Sequence, residues 1–384
     1  MRILISGAGP AGLALANCLL DAGLSPVVVE KAPTLRTAGY AVGLHLGGWE
    51  VAARLGLIDA LKARSISIQR ADYRDARDRK LFSYNYRHLS AACGDRMLVI
   101  MRDALQEVLV ERLGGRVPIR YGTSVSALVD DGKAVQAEFS DGSSERFDLV
   151  VAADGYRSGV RELHFGPHSK FLKPLGYRSA AWRMPSSQAM DCDYAAFMDV
   201  DLQAGLYRVG DGTVATLFCW RDEDTSRVPA DKRTAELVSR FSHWPALISD
   251  TFREGVDWSG AFFDTICQVE VPQWSRGRVV LLGDAAHCMT FLSGQGTSTA
   301  VVGAHVLAAE LATRPLDEAL AAYEARLRPV AGRLQKQSEK IGGHYVPRSR
   351  FGLAVQSWII PTLMRPPLVR LMARKMEASS PSIA

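Results

Sequence analysis

Three short stretches of this 384-residue chain combine glycine with acid in patterns suited to a charged ligand. The first is Gly7-Ala8-Gly9-Pro10-Ala11-Gly12, followed eighteen residues later by Glu30 and then Lys31. Glycines at this spacing allow a tight turn, close approach of a pyrophosphate to the backbone, and close packing of a helix on a strand. The helix N-terminus that follows favours an anion. An acid at the place of Glu30 accepts from a ribose hydroxyl, which favours FAD or NAD over NADP.

The second stretch is Asp154-Gly155-Tyr156-Arg157-Ser158-Gly159-Val160-Arg161. An Asp-Gly pair at a strand end is by itself only a turn, and Ser158 and Arg161 at fixed offsets make it more informative. The third is Gly283-Asp284-Ala285-Ala286-His287, followed by Gly294-Gln295-Gly296 at the head of a long apolar helix. Asp284 can bond a polyol chain, and the amides at the helix start face any electron-rich ring.

These residues need elements to hold them. Arg2 to Ser6 suits a buried parallel strand, Leu13 to Ala22 has helical spacing and stops at Gly23, and Pro26 to Val29 is a second strand ending at Glu30. That is one βαβ unit. Residues 45–64 read as a helix, 66–98 as an antiparallel excursion, and Asp103 to Leu113 as an amphipathic helix. Arg116 to Arg120 is a strand, Val125 to Phe139 with a turn at Asp130-Asp131-Gly132 and then Asp141-Gly142 gives a β-meander, and Leu149 to Ala153 is another buried strand. From 172 to 270 strand-like, aromatic-rich pieces suggest a second domain on an antiparallel sheet, with a helix near 231–241. Arg278 to Leu282 returns as a buried strand, 296–312 is helical, and Glu318 to Ile341 is a helix kinked at Pro329.

The expected fold class is α/β: a Rossmann-like dinucleotide-binding domain with an inserted antiparallel-sheet domain and C-terminal helices. The first domain takes 1–75, 95–171 and 271–317, the inserted domain 76–94 and 172–270, and the helical segment 318–384. A net charge of +5 is too small and dispersed for nucleic acid. Six well-separated cysteines without a C-x-x-C or zinc-type spacing read as reduced thiols of a cytoplasmic protein. No stretch offers the ~20 apolar residues of a membrane span.

Together the three motifs, in this order and at these separations, resemble the single-component flavoprotein monooxygenases of the para-hydroxybenzoate hydroxylase fold. The likeness covers nearly the whole chain and is closest to tetracycline-inactivating and antibiotic-tailoring members. It implies that Gly7, Gly9, Pro10, Ala11, Gly12, Glu30 and Lys31 hold the ADP half of FAD. Arg102 and Asp154 then contact the middle of the cofactor, Gly283 and Asp284 the ribityl chain, and Gly294, Gln295 and Gly296 the flavin ring. It further implies NADPH or NADH as a transient reductant and O2 as co-substrate, a flavin hydroperoxide as oxidant, and no catalytic side chain or metal. The partner is a small-molecule substrate, and the protein a monomer or homodimer.

His45, Trp182, Tyr194, Tyr207, Phe218, Trp220 and Phe291 are the candidates for the substrate pocket. Period-2 alternation turns roughly half of the sheet aromatics to one side. His287 reads as structural and Cys288 as an inert buried thiol rather than a flavin attachment point. Phe291, Ser298 and Gly303 stand where the family usually has proline, asparagine and aspartate. The tail from Phe351 to Met376 reads as a helix packed on the protein's own body, with a membrane surface or another subunit as the alternative. Two other activities share the motifs: an isoprenoid-type flavin reductase, and a non-redox FAD-carrying cyclase or binding protein.

Overall fold

A computed structural model describes residues 1–35, 40–185, 190–210, 212–253, 255–290 and 293–380. Its centre is a six-stranded sheet in the order Ser275–Arg276, Val279–Leu281, Leu149–Ala152, Ile3–Ser6, Pro26–Glu30 and Ile119–Tyr121. All neighbours are parallel except the short edge pair at Ser275–Arg276. Ile3–Ser6 is buried along its whole length, as a strand covered by helices on both faces must be. The helix Pro10–Asp21 packs between Arg102–Leu113 and Gly296–Thr313, so the helices that follow the first and third motifs lie side by side. A three-stranded meander, 125–130, 135–139 and 144–147, flanks this domain.

The second sheet has eight strands. Phe262–Val269, Leu172–Ala181, Thr213–Arg221, Leu202–Gly210, Tyr194–Asp199, Arg70–Asp75 and Lys80–Asn85 follow one another, and Arg183–Pro185 pairs beside Thr213–Arg221. Arg70–Asp75 belongs to this sheet, so the chain leaves the first domain earlier than a boundary at 75 implies. Helices Ala230–Phe241 and Ala246–Arg253 cover its outer face.

Residues 45–64 are not one helix. His45 ends the strand Ala41–His45, which pairs antiparallel with Met97–Met101, and two short helices, Gly47–Arg54 and Ile58–Ala63, follow. Leu46 turns the chain with a φ of 50°, and Gly56 with a φ of 70° separates the two helices. The long C-terminal helix, Leu316–Tyr345, contains Pro329 as expected. The tail forms two helices, Arg350–Leu363 and Leu368–Ser379. The second packs Val369 and Ala373 against Leu46, Leu89 and Cys93, whereas the first keeps most of its apolar side chains at the surface.

Candidate functional site

The three motifs meet at the C-terminal ends of the parallel strands, where such sheets hold ligands. Gly7 turns the chain with a φ of 110°, and a side chain there would lie 2.5 Å from the Ala153 carbonyl oxygen and 2.9 Å from the Asp154 Cα. Gly12 is equally constrained: a methyl on it would stand 2.0 Å from the Gly7 carbonyl oxygen. Gly283 faces the Ala11 methyl, where a side chain would come within 2.9 Å. Small residues thus let the first motif pack against the second and third.

The start of the helix Pro10–Asp21 is open. Pro10 occupies its first turn, Gly9 caps it without a side chain, and no acid lies in that turn. The Arg102 guanidinium stands over Gly9, 3.4 Å from where a side chain would begin. Gln106, which the sequence reading missed, donates from Nε2 to the Ala8 carbonyl at 2.7 Å and so fixes the turn. Uncapped amides, a helix dipole and a guanidinium together make an anion cradle.

Glu30 accepts from the Ala8 amide through Oε2 and from the Ala32 amide through Oε1, both at 2.9 Å. It is therefore a brace of the glycine turn. Lys31, the next residue, is exposed. Asp154 accepts from the Val160 amide at 3.1 Å through Oδ2, while its buried Oδ1 has no hydrogen-bond partner among the described residues. Burial raises its carboxyl above the usual range. Asp284 opens the helix Asp284–His287 and reaches solvent, yet protein encloses it closely enough that burial raises its carboxyl too, against the pull of Arg102. A carboxylate that is both accessible and enclosed sits at the floor of a cleft. Gly296 lies beside it, 3.8 Å from Oδ1 to where a side chain would start.

Ser158 and Arg161 earn their places in the second motif. Ser158 Oγ accepts from the Arg161 amide at 2.9 Å and caps the helix Gly159–His164. Arg161 is fully buried and donates to the carbonyls of Tyr156 at 2.6 Å and Ala285 at 2.9 Å, which ties the second motif to the third. Tyr156 and Arg157 reach the other way, to Asp264 on the second sheet, with Arg157 Nη2 donating to Oδ1 at 2.8 Å. Asp103 and Arg183 form a second ion pair across the same boundary. None of these cross-domain partners stands out in the sequence.

His45 is buried, and its ring Nδ1 lies 2.9 Å from the Ser298 Oγ, which also accepts from the His45 amide at 3.0 Å. Burial holds the imidazole down at about 4, so it is neutral near pH 7. Ser298 thus joins the strand Ala41–His45 to the head of the helix Gly296–Thr313. Gly294 closes the same corner: a side chain on Gly43 would meet its carbonyl oxygen at 3.3 Å. Gln295 caps that helix, and its own amide donates to the Ser293 Oγ at 3.2 Å. At Gly303 a side chain would begin 3.3 Å from both Leu282 and Leu327, so the position packs against apolar side chains.

The sheet aromatics divide by face. Trp182, Phe218 and Trp220 point outward into a core with Phe241, Trp244 and Phe252, and Trp182 stacks on Phe218 at 5.0 Å between ring centroids. Their placement in a packed core on the far side of the sheet corrects the expectation that they line the pocket. Tyr194 and Tyr207 lie on the inner face with Met101 and Ala104, beside Arg102. Tyr207 Oη accepts from the Ala41 amide at 2.7 Å, and Tyr194 stands edge-on to Tyr73 at 5.9 Å. Tyr40 meets Phe262 edge-to-face at 5.4 Å on the same side. Phe291 lies outside the described residues.

His287 is buried against Trp274 at 4.8 Å and held down at about 4 by burial, which fits a packing role. All six cysteines are free and buried. The Cys288 thiol is pushed well above its ordinary value and donates weakly to the Cys267 carbonyl. Asp72, Asp191 and Cys192 bring their ligand atoms within 4.8 Å of one another. Asp72 already accepts from Arg70 and Ser83, and the Cys192 thiol is pushed up to about 11, so this group is an ion-pair cluster. A cavity of about 270 Å³ beside it, lined by Arg74, Asp191, Cys192 and Leu247 among others, shares no residue with the motif site.

Residues 1–338 match the family described as FAD binding domain. The FAD-dependent monooxygenase asL6 of Sarocladium schorii is 31% identical over 410 residues, covering 98% of this chain and 95% of its own. The crystal structure of tetracycline destructase Tet(55) superposes with a TM-score of 0.83 at 25% identity, over 100% of this chain and 98% of that one. Klebsiella pneumoniae HpxO, solved with FAD and uric acid, gives 0.83 at 25% identity over 99% and 97% of the two chains. The open helix start, the Arg102 guanidinium and the two enclosed carboxylates fit such a cofactor. The chain belongs to the FAD-binding-domain family of flavin-dependent monooxygenases.

Proposed function

We propose that the protein uses NAD(P)H and O2 to hydroxylate or epoxidise a large, apolar, aromatic or polycyclic small molecule. The observation that carries this reading is the pairing of two surfaces. On one side stand the anion cradle at Gly9 and Arg102 and the cleft acid Asp284. On the other is the inner sheet face, with Tyr194, Tyr207, Tyr73, Tyr40 and Phe262 and the neutral His45. Flat ring systems suit such a wall, and the similar structures include a tetracycline destructase and an HpxO solved with uric acid.

In this reading the amides at Gly9, Ala11 and Gly12, with Arg102, take the pyrophosphate. Glu30 accepts from the adenosine ribose while bracing the turn. Asp154 offers its unpartnered Oδ1 to a hydroxyl donor near the middle of the cofactor, and Asp284 accepts from the ribityl chain. The amides at Gly294 to Gly296 face the ring, where the dipole of the long helix favours negative charge. The bound flavin supplies the redox and oxygen chemistry, and the protein orients the substrate and excludes water.

Purified protein is expected to carry FAD that acid precipitation releases. A polycyclic aromatic substrate should accelerate flavin reduction by NAD(P)H, and one atom of isotopically labelled O2 should appear in the product. Reduction of a substrate double bond without oxygen would replace this reading with a reductase. Product formed with no reductant would replace it with a non-redox role.

A further inference from the structure

The helix Arg350–Leu363 carries large apolar side chains on its outer face. Leu353, Gln356, Ser357 and Ile360 form its less exposed face, and the buried Gln356 Oε1 has no partner among the described residues. Outward point Phe351, Val355, Trp358, Ile359 and Leu363, spaced so that they form one stripe. Phe351 is 80% exposed and Trp358 74%. Leu368 and Leu371 of the next helix extend the patch. The other exposed large apolar residues, Met1, Val129, Leu163 and Val238, are scattered over the rest of the described chain. An exposed apolar stripe of this extent marks a contact surface.

Charge selects the partner. Arg348 and Arg350 lie at the head of the stripe, and Arg365, Arg370 and Arg374 lie beyond its foot. All five are exposed and form no ion pair among the described residues. The only acid between 345 and 380 is Glu377, which is paired with Arg96. Pairing with a second copy would set arginine against arginine at both ends, whether the two helices ran parallel or antiparallel. An anionic lipid surface neutralises all five, while Trp358 and Phe351 suit the depth of the headgroups. No helix among the described residues is long and apolar enough to cross a membrane, so the element would lie in the interface plane.

We propose that the helix Arg350–Leu363, with Leu368, Leu371 and the flanking arginines, docks the protein on an anionic membrane surface. The test uses the full-length holoprotein and flotation with two kinds of vesicle, phosphatidylcholine alone and phosphatidylcholine with one-third phosphatidylserine. Binding to the anionic vesicles should be at least about tenfold stronger and should weaken with salt. The double variant F351S/W358S should lose at least about tenfold in binding. It should keep its melting temperature and flavin content, because both side chains are exposed. Brominated lipid should quench wild-type fluorescence more than that of Trp358→Phe. No binding, equal binding to both vesicles, or unchanged binding of the double variant would overturn the proposal. A concentration-dependent dimer that F351S/W358S abolishes would assign the stripe to a second copy and overturn it equally.

Discussion

Adding one methyl group at Gly12 should unseat the cofactor more than it unfolds the protein. In Gly12→Ala the new carbon would stand 2.0 Å from the Gly7 carbonyl oxygen and 3.1 Å from the Ile5 Cγ2. The first is backbone and the second belongs to a fully buried β-branched side chain, so neither yields easily. The helix Pro10–Asp21 must withdraw from the strand by more than about 1 Å to restore ordinary contact distances. Overpacking of this kind costs roughly 1–3 kcal/mol of stability. The cofactor pays separately, because the amides at the helix start move with the helix. Two charge-assisted hydrogen bonds stretched by that amount lose about 1.5–3 kcal/mol each, a ten- to hundred-fold weaker affinity apiece. The assay is FAD affinity by fluorescence on apoprotein, with melting temperature measured alongside. Gly332→Ala supplies the control: it lies inside a long helix with open space where a side chain would go, and should stabilise by roughly 0.5–1 kcal/mol. A Gly12→Ala protein that binds FAD within twofold of wild type would refute the steric reasoning.

Acid should destabilise the fold through two buried histidines. His45 and His287 are both held at about 4, below the ordinary 6.5, so the unfolded chain takes up their protons first. Stability from this source is whole above about pH 6.5 and falls as pH drops toward 4, by roughly 2–4 kcal/mol for each residue. Denaturant titrations between pH 7.5 and 4.5 should therefore slope less steeply in H45Q/H287Q; parallel slopes would exclude the histidines as the cause. At the domain boundary, Asp264→Ala should lower stability by about 1–2 kcal/mol by removing the partner of Tyr156 and Arg157. FAD affinity should stay unchanged, and flavin loss in this variant would show that the clamp shapes the cofactor cleft.

The glycine motifs were legible because their glycines are steric necessities. Gly7 and Gly12 have no room for a side chain, and their spacing is therefore written into the sequence. Ser158 and Arg161 drew notice for their offsets, although only the structure reveals a cap and a bridge to Ala285. The two faces of the second sheet were harder. Alternation along a strand says that neighbours face opposite ways but leaves the phase open, and irregular register at Pro174/Arg178 and Arg208/Gly210 shifts it further. Trp182 and Phe218 therefore look like Tyr194 and Tyr207 in sequence, and only the covering helices tell them apart. The strand Ala41–His45 was hidden for another reason: it pairs with Met97–Met101, far along the chain, and is too short to show a period of its own.

The burial of the cysteines bears on how long such a protein can work. An oxygen-activating flavoprotein is exposed to hydrogen peroxide generated at its own cofactor, and thiolates are the side chains that peroxide attacks first. Here every cysteine is buried, and burial pushes each resolved thiol upward: Cys18 to about 12, Cys192 and Cys267 to about 11, Cys93, Cys219 and Cys288 also above the ordinary range. Cys288, in the same short helix region as Asp284, is among the most strongly shifted. The sulfur left within easier reach is thioether: Met97, Met364, Met372 and Met376 are only partly buried. Damage to a thioether is reversible by sulfoxide reduction, so the sulfur that this fold leaves accessible is of the repairable kind.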